Sequence, residues 1–173
     1  MIRSLLVSAV FFFTLSAQAA PFDWHKLFGT YHFQNCQNEG GAIWQTDPAN
    51  QYIVISDDPF NTQEVKKNYL AAALFHEPFS PIVPIWELSD LDQGPVKTFD
   101  DKTGELQTMH ENVTLADGVH SRMEWHFGDD SGWAEFELKK VDEDPNQLSY
   151  TMERHDGLSG TVRHESCRLL KTL

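Results

Sequence analysis

The chain has 173 residues, of which 13 are Lys or Arg and 26 are Asp or Glu, so its formal net charge is −13 at neutral pH. This length suits one domain, and an aromatic content of 12% excludes a disordered chain. The few cations are scattered among the anions and form no basic patch, so we expect neither nucleic acid nor an anionic membrane surface as a partner.

The first 19 residues have the pattern of a signal peptide. Arg3 supplies a positive start, Leu5–Leu15 is apolar, and Ala17–Ala19 forms an A-x-A cleavage site. The apolar run covers about 12 residues, whereas a membrane span needs about 20. We therefore predict a cleaved signal peptide at residues 1–19, one domain over residues 20–173, no membrane span, and a bacterial periplasmic or secreted location.

The first strand is expected close to the start of the mature chain. The residues Leu27–Cys36 predict a strand. Within that strand Tyr31 and Phe33 share one face, and strict alternation places Cys36 on the other.

The next part of the chain predicts elements of irregular spacing. Strands are expected at Gln51–Ser56 and at Ile82–Leu88, where Pro84 favours an edge position. Residues 61–76 fit either an inserted helix or a further strand. Residues 92–104 are polar and interrupted by Gly and Pro, which is typical of a loop.

Apolar and polar residues alternate with period two in the second half, which is typical of half-buried antiparallel strands. The apolar members are Val119, Met123, Trp125 and Phe127, then Phe136 and Leu138, then Leu148, Tyr150 and Met152. Asp117-Gly118 predicts a two-residue hairpin turn that pairs Ala116 with Val119. A four-residue turn after Phe127 would pair Trp125 with Ala134.

About eight or nine antiparallel strands joined by hairpins have edges that must be protected, and closing into an up-and-down β-barrel removes them. Cys36 ends the first strand and Cys167 lies in the last, Thr161–Leu169. These strands are neighbours in a closed barrel, and export favours oxidation, so we predict a disulfide between the two cysteines. The alternative is two free, buried thiols.

The first strand also resembles that of lipocalin-like (calycin) secreted barrels. Gly29-Thr30-Tyr31 is similar to the lipocalin G-x-W element with Tyr in place of Trp. It follows a short segment, Phe22–Phe28, that resembles the helical turn covering one barrel end in that family, so the resemblance implies a short N-terminal helical turn. The resemblance implies that Arg163 or Arg168 packs over the first-strand aromatic. It also implies a pocket for a small molecule.

The predicted barrel interior is apolar with a polar patch, which is the general pattern of a ligand site. Val162, His164 and Ser166 are placed on the inward face of the last strand. The candidate ligand-binding residues are Tyr31, Thr108, His110, Asn112, Met123, Trp125, Phe136, Tyr150 and His164. The alternative is a packed core whose polar groups bond to one another.

No motif indicates catalysis, a cofactor or a metal. The sequence lacks a G-x-S-x-G nucleophile elbow. His120, Glu124 and His126 on one strand, with Glu111 opposite, fit a solvated acidic face better than a metal site. We therefore expect a non-enzymatic binder of a small apolar or amphipathic molecule.

The other function considered is a protein-interaction or inhibitor module. It would act through rim loops and exposed aromatic side chains. These are Trp44, Phe60, Phe79 and Trp86.

Overall fold

A computed structural model describes residues 22–43, 50–58, 70–76, 83–88, 91–141 and 144–172. These residues form one antiparallel sheet of ten strands, preceded by a 3-10 turn at Trp24–Leu27. The strands are β1 (Gly29–Glu39), β2 (Gln51–Ser56), β3 (Leu70–His76), β4 (Val83–Leu88), β5 (Val96–Phe99), β6 (Leu106–Thr114), β7 (Gly118–Phe127), β8 (Asp130–Val141), β9 (Asp144–Asp156) and β10 (Thr161–Lys171). The predicted signal peptide lies outside the described residues.

The strand order confirms the predicted all-β, up-and-down architecture. Each strand pairs with its sequence neighbour except at two places: β1 pairs with β10, and β4 and β5 are the two edges. The sheet is therefore not closed by hydrogen bonds in the part of the chain described. It is nevertheless curled like a barrel, because Trp86 of the edge strand β4 stacks on Phe136 of β8 with ring centroids 5.2 Å apart.

The predicted disulfide joins β1 to β10. Cys36 and Cys167 are bonded, with their Cα atoms 4.1 Å apart. A bulge in β1 places two residues, Asn35 and Cys36, opposite Cys167, and Asn35 has a positive φ of 51°. The bulge reverses the alternation, so Cys36 packs against the interior beside buried Cys167. Strict alternation was wrong on this point because an inserted residue changes the face.

The 3-10 turn covers one end of the curled sheet. Leu27 is fully buried, and its carbonyl accepts a hydrogen bond from the Tyr31 hydroxyl at 2.8 Å. Lys171, directly opposite Tyr31, donates to the Phe28 carbonyl at 2.7 Å and lies 5.9 Å from the centroid of the Tyr31 ring. The cationic side chain of the last strand that lies over the aromatic ring of the first strand is therefore Lys171.

The two arginines expected in that role lie elsewhere. Arg168 is exposed, and the side chain of Arg163 runs beside Gly40 at the other end of the strand. The prediction failed because the C-terminal residues were not assigned to the last strand, which continues to Lys171.

Two further elements differ from the sequence prediction. Residues 70–76 form strand β3, so of the two alternatives the strand is confirmed there and the inserted helix is wrong, and residues 61–69 lie outside the described part. The predicted loop at residues 92–104 contains β5, which pairs with β6. The four residues of β5, two of them apolar, are too few to show a period-two pattern, and the pairing with β6 orders them. The edge position predicted from Pro84 is confirmed for β4.

Both hairpin turns are shifted, and both shifts preserve the inward face. Ala116 and Asp117 form the first turn, closed by Leu115 N–H to the Gly118 carbonyl at 2.9 Å. Gly118 instead lies in β7, where a Cβ would come within 2.0 Å of the Leu138 carbonyl oxygen. Close packing of two backbones, rather than turn geometry, requires glycine here. Phe127 pairs with Asp130 across the second turn, which also has two residues.

Candidate functional site

One half of the interior is densely packed. The side chains there come from β1, β2, β9 and β10, and each is at most 5% exposed. They are Tyr31, Phe33, Ile53, Ile55, Leu148, Tyr150 and Leu169. This half is a core in the ordinary sense and leaves no exposed apolar surface on these strands' inner face.

A buried acidic group lies at the edge of this packed half. Glu165 of β10 is fully buried, and its carboxylate accepts hydrogen bonds from the Tyr150 hydroxyl at 2.5 Å and from Ile43 N–H at 2.8 Å. Burial and the neighbouring carboxylate raise the pKa of Tyr150 well above its usual range. The carboxylate thus connects the segment after β1 to the interior. Its two hydrogen bonds offset the cost of burying an acidic group.

The predicted polar patch lies on the inner face of β6 and β7. Asn112 and Ser121 are directly opposite, both 2% exposed, and Ser121 donates to the Asn112 side-chain oxygen at 2.5 Å. In contrast, His110 Nε2 and Thr114 Oγ1 are buried atoms without a hydrogen-bond partner in the structure. Part of the patch is therefore internally paired, and part presents free polar atoms to the interior.

Beside these atoms the inner face of β7 is open. Met123 is 40% exposed, although Ser121 and Trp125 on the same face are buried. Phe127, the next residue on this face, is 53% exposed. The inner face of the curled sheet therefore remains accessible at Met123 and Phe127.

Trp125 forms one side of this open region. Its ring lies against Gly132, where a Cβ would come within 2.4 Å of the ring atom Cζ2. The Arg154 guanidinium lies over the same ring, 5.3 Å from its centroid. Glycine on β8 therefore makes room for the indole, and the arginine on β9 holds it from above.

Cross-strand pairing places the neighbours of Met123 in one row across the sheet. Arg163 of β10 faces Arg154 of β9, Arg154 faces Ala134 of β8, and Ala134 faces Met123 of β7. Met123 in turn faces His110 of β6. The row combines two cations, a small side chain and an accessible thioether on one inner face.

The candidate ligand-binding residues therefore divide into three groups. Tyr31, Phe136 and Tyr150 belong to the packed core, where each is at most 2% exposed. Five lie on the inner face of β6 and β7, namely Thr108, His110, Asn112, Met123 and Trp125. The Thr108 hydroxyl bonds to that of Thr98 on β5 at 2.5 Å.

His164 is the exception, because it lies on the outer face. The buried side chains of β10 are Glu165, Cys167 and Leu169, which is the opposite alternation to the one predicted from Val162. Val162 is 51% exposed. His164 lines an outer groove with His120 and acidic side chains of β8 and β9. Because of this error, Arg163 and Glu165 were not predicted to lie on the inner face. The alternation of Cys167 and Leu169 is the part of the sequence that indicates the correct face.

Arg154 was missed for a different reason. It continues the alternation of Leu148, Tyr150 and Met152 directly, so the pattern already places it inside. A charged residue at the end of an apolar strand face is usually solvated, so the alternation alone does not mark Arg154 as an interior residue.

The outer acidic face contains an ion-paired arginine. Arg122 pairs with Glu124 at 2.8 Å and also with Glu135 on β8. Within the described ranges, no group of three or more His, Cys, Asp or Glu side chains is placed to hold a metal ion.

One of the four aromatic side chains considered for partner binding can be placed. Trp86 is only 8% exposed, because it stacks on Phe136 in the interior. It is therefore a core residue and offers no rim surface. The others, Trp44, Phe60 and Phe79, lie outside the described residues.

Comparison with known protein families, curated proteins and solved structures found no match to this chain. A search of the described residues for a helix of the length and hydropathy that a membrane span requires found none.

Proposed function

We propose that the protein is an exported, lipocalin-like barrel that binds a small apolar or amphipathic molecule without chemical conversion. The observation that supports this most is the open inner face of β7. Met123 is 40% exposed there, beside the unpartnered His110 Nε2. The packed half supplies rigidity, and the open half supplies the surface for a ligand.

The energetic argument concerns the unpaired polar atoms. A buried polar atom without a hydrogen bond costs about 1–3 kcal/mol. His110 Nε2 and Thr114 Oγ1 are two such atoms on the inner face of one strand. A ligand with a polar group would form hydrogen bonds with these two atoms while its apolar part covers Met123. Binding would then offset the free-energy cost of the unpaired polar atoms and that of the exposed apolar surface.

The covered end of the barrel supports the lipocalin-like part of the proposal. Tyr31 in the Gly29-Thr30-Tyr31 element bonds to the 3-10 turn, and Lys171 of the last strand bonds to the same turn. The 3-10 turn is thus bonded to both β1 and β10 and covers one end of the curled sheet. A ligand would enter from the side of β5 to β7 and the opposite end.

Binding can be tested with N-phenyl-1-naphthylamine, a neutral apolar dye that fluoresces more strongly in apolar surroundings. We expect the purified protein to enhance its emission, and Met123→Trp to abolish the enhancement because the larger ring fills the open face. Leu158→Trp is the control, since Leu158 lies in a turn and is 66% exposed.

Both variants should unfold at nearly the temperature of the unsubstituted protein. Absence of dye binding by that protein, or equal binding by the Met123→Trp variant, would contradict the proposal.

Export can be tested by mass. The protein isolated from an oxidising compartment should begin at Ala20, and its mass should fall by two further hydrogens because of the Cys36–Cys167 bond. A cytoplasmic protein that retains Met1 would contradict this part of the proposal.

A further inference from the structure

Two exposed phenylalanines lie at the end of the sheet remote from the 3-10 turn. Phe99 ends β5 and Phe127 ends β7, and each is 53% exposed. Phe99 faces Leu106 at the start of β6. The β6–β7 pairing of Thr108 with Trp125, extended by two residues, places Phe127 on the other side of Leu106. These three side chains form an apolar row along the rim, and contiguous exposed apolar surface is typical of an interaction site.

An ordered acidic turn borders this row. Asp100 begins the turn that joins β5 to β6, and its carboxylate accepts hydrogen bonds from Lys102 N–H and Thr103 N–H, both at 2.8 Å. The Gly104 N–H donates to the Asp100 carbonyl at 2.8 Å, and Gly104 has a positive φ of 72°. The turn is therefore held in one conformation by its own hydrogen bonds, so a partner that docks on it does not have to order it.

Exposed carboxylates accompany the row on both sides. Two belong to this turn and two to the turn between β7 and β8, and they are Asp101, Glu105, Asp129 and Asp130. Among the described residues none of the four forms an ion pair, and only the Asp130 carboxylate accepts a hydrogen bond, from Trp125 Nε1 at 3.4 Å. Lys102 is the only cation in the sequence of these two turns. The rim therefore combines exposed phenyl rings with negative charge that has little compensation.

Charge and size decide which partner fits this rim. A second copy of the chain would bring the same carboxylates against it, and two chains that each carry a net charge of −13 repel one another. A segment with lysine or arginine beside apolar side chains would pair with the carboxylates and cover the rings. From β5 to β8 the rim spans three strand spacings, about 14 Å, which is the length of about four or five residues of an extended peptide.

We propose that this rim is a docking site for a cationic, apolar polypeptide segment of a partner protein. Phe99 and Phe127 supply the apolar contact, while Asp101, Glu105 and Asp129 supply the charge. The docking site does not depend on a small molecule in the interior, and it adds a protein partner to the proposed function.

Fluorescence anisotropy with three labelled octapeptides, all with blocked ends, tests the proposal on the purified protein. One peptide alternates lysine with leucine, the second alternates lysine with serine, and the third alternates glutamate with leucine. We expect the lysine–leucine peptide to bind about tenfold more tightly than either of the others, because it alone supplies both charge and apolar contact. Added salt should weaken its binding.

Substitutions on the rim locate the site. Phe99→Ala and an Asp101→Asn, Glu105→Gln double variant should each weaken binding of the lysine–leucine peptide about tenfold. The matched controls are Val162→Ala on β10 and Glu39→Gln on β1, which remove a similarly exposed apolar side chain and an exposed carboxylate from distant strands. Both controls should bind the peptide like the unsubstituted protein.

Three results would overturn the docking site. The first is equal binding of the lysine–serine peptide, since charge alone would then account for the interaction. The second is an equal loss of binding in the control variants. The third is dimerisation of the protein in sedimentation experiments that Phe99→Ala abolishes, because a second copy would then occupy the rim. None of these results bears on binding of the apolar dye, so the proposed function is tested separately.

Discussion

The two halves of this sheet bury their inner faces to different extents. On β1, β2, β9 and β10 the inner apolar side chains are almost completely buried, and a disulfide joins β1 to β10. On β5 to β7 the same kind of alternation leaves Met123 and Phe127 accessible. Strand pairing does not account for the difference, because β7 is paired with both β6 and β8. What differs is the covering of the inner face: Trp86 of β4 stacks on Phe136 of β8, whereas Met123 and Phe127 of β7 remain accessible.

Removing the disulfide tests the closed side and should have the largest effect. The bond spans 131 residues of chain, and a loop of that length constrains the unfolded state by about 4–5 kcal/mol. We expect a Cys36→Ser, Cys167→Ser double variant to lose that amount in a urea titration. The unsubstituted protein under reducing conditions should behave like the variant. Equal urea midpoints for the oxidised protein and the variant would contradict the role of the bond.

Matched truncations compare the two halves directly. Leu148→Ala removes a side chain that is 1% exposed and should cost about 3 kcal/mol, since it creates a cavity. Met123→Ala removes a side chain that is 40% exposed and should cost less than about 1 kcal/mol. Chemical denaturation measures both values. Similar losses would show that the inner face of β7 is packed in solution.

Alkaline pH should weaken the end of the barrel that the 3-10 turn covers. Burial raises the pKa of Tyr31 to about 12. The unfolded phenol ionises near pH 10, so the folded state disfavours ionisation and the free energy of unfolding declines between about pH 10 and pH 12. The contribution of Tyr31 to this decline is about 2 kcal/mol and is absent below that window.

Tyr31→Phe is the control for that titration. Its unfolding free energy should decline less steeply across the alkaline window, because only the raised pKa of Tyr150 then contributes among the two tyrosines. Identical slopes for the variant and the unsubstituted protein would exclude Tyr31 as the source.

A smaller effect than that of the tyrosine titration is expected at the contact between the last strand and the turn. Lys171→Met removes the hydrogen bond to the Phe28 carbonyl and the ammonium above the Tyr31 ring, and it should cost about 1 kcal/mol. Hydrogen exchange should become faster at the amides of residues 24–28. Lys97→Met on the exposed edge strand β5 should leave that exchange unchanged.

Much of this architecture can be predicted from the sequence because it depends on local pattern. The alternation of β7, β8 and β9 and the single possible pairing of two cysteines follow from neighbouring residues or from counting. These features lead to the correct strand neighbours, including β1 beside β10. The inward position of Met123 follows from the same alternation, even though both hairpin registers are shifted by two residues.

The tertiary structure decided which face of β10 is inside. Leu169 and Leu170 are adjacent and Val162 is apolar, so either alternation of that strand is compatible with its sequence. The choice depends on β1, whose bulge at Asn35 turns Cys36 inward to meet Cys167. That contact sets Glu165 and Arg163 on the inner face. Pairing between strands distant in sequence contributes no local signal, and so the faces of an ambiguous strand are determined only when its neighbours are in place.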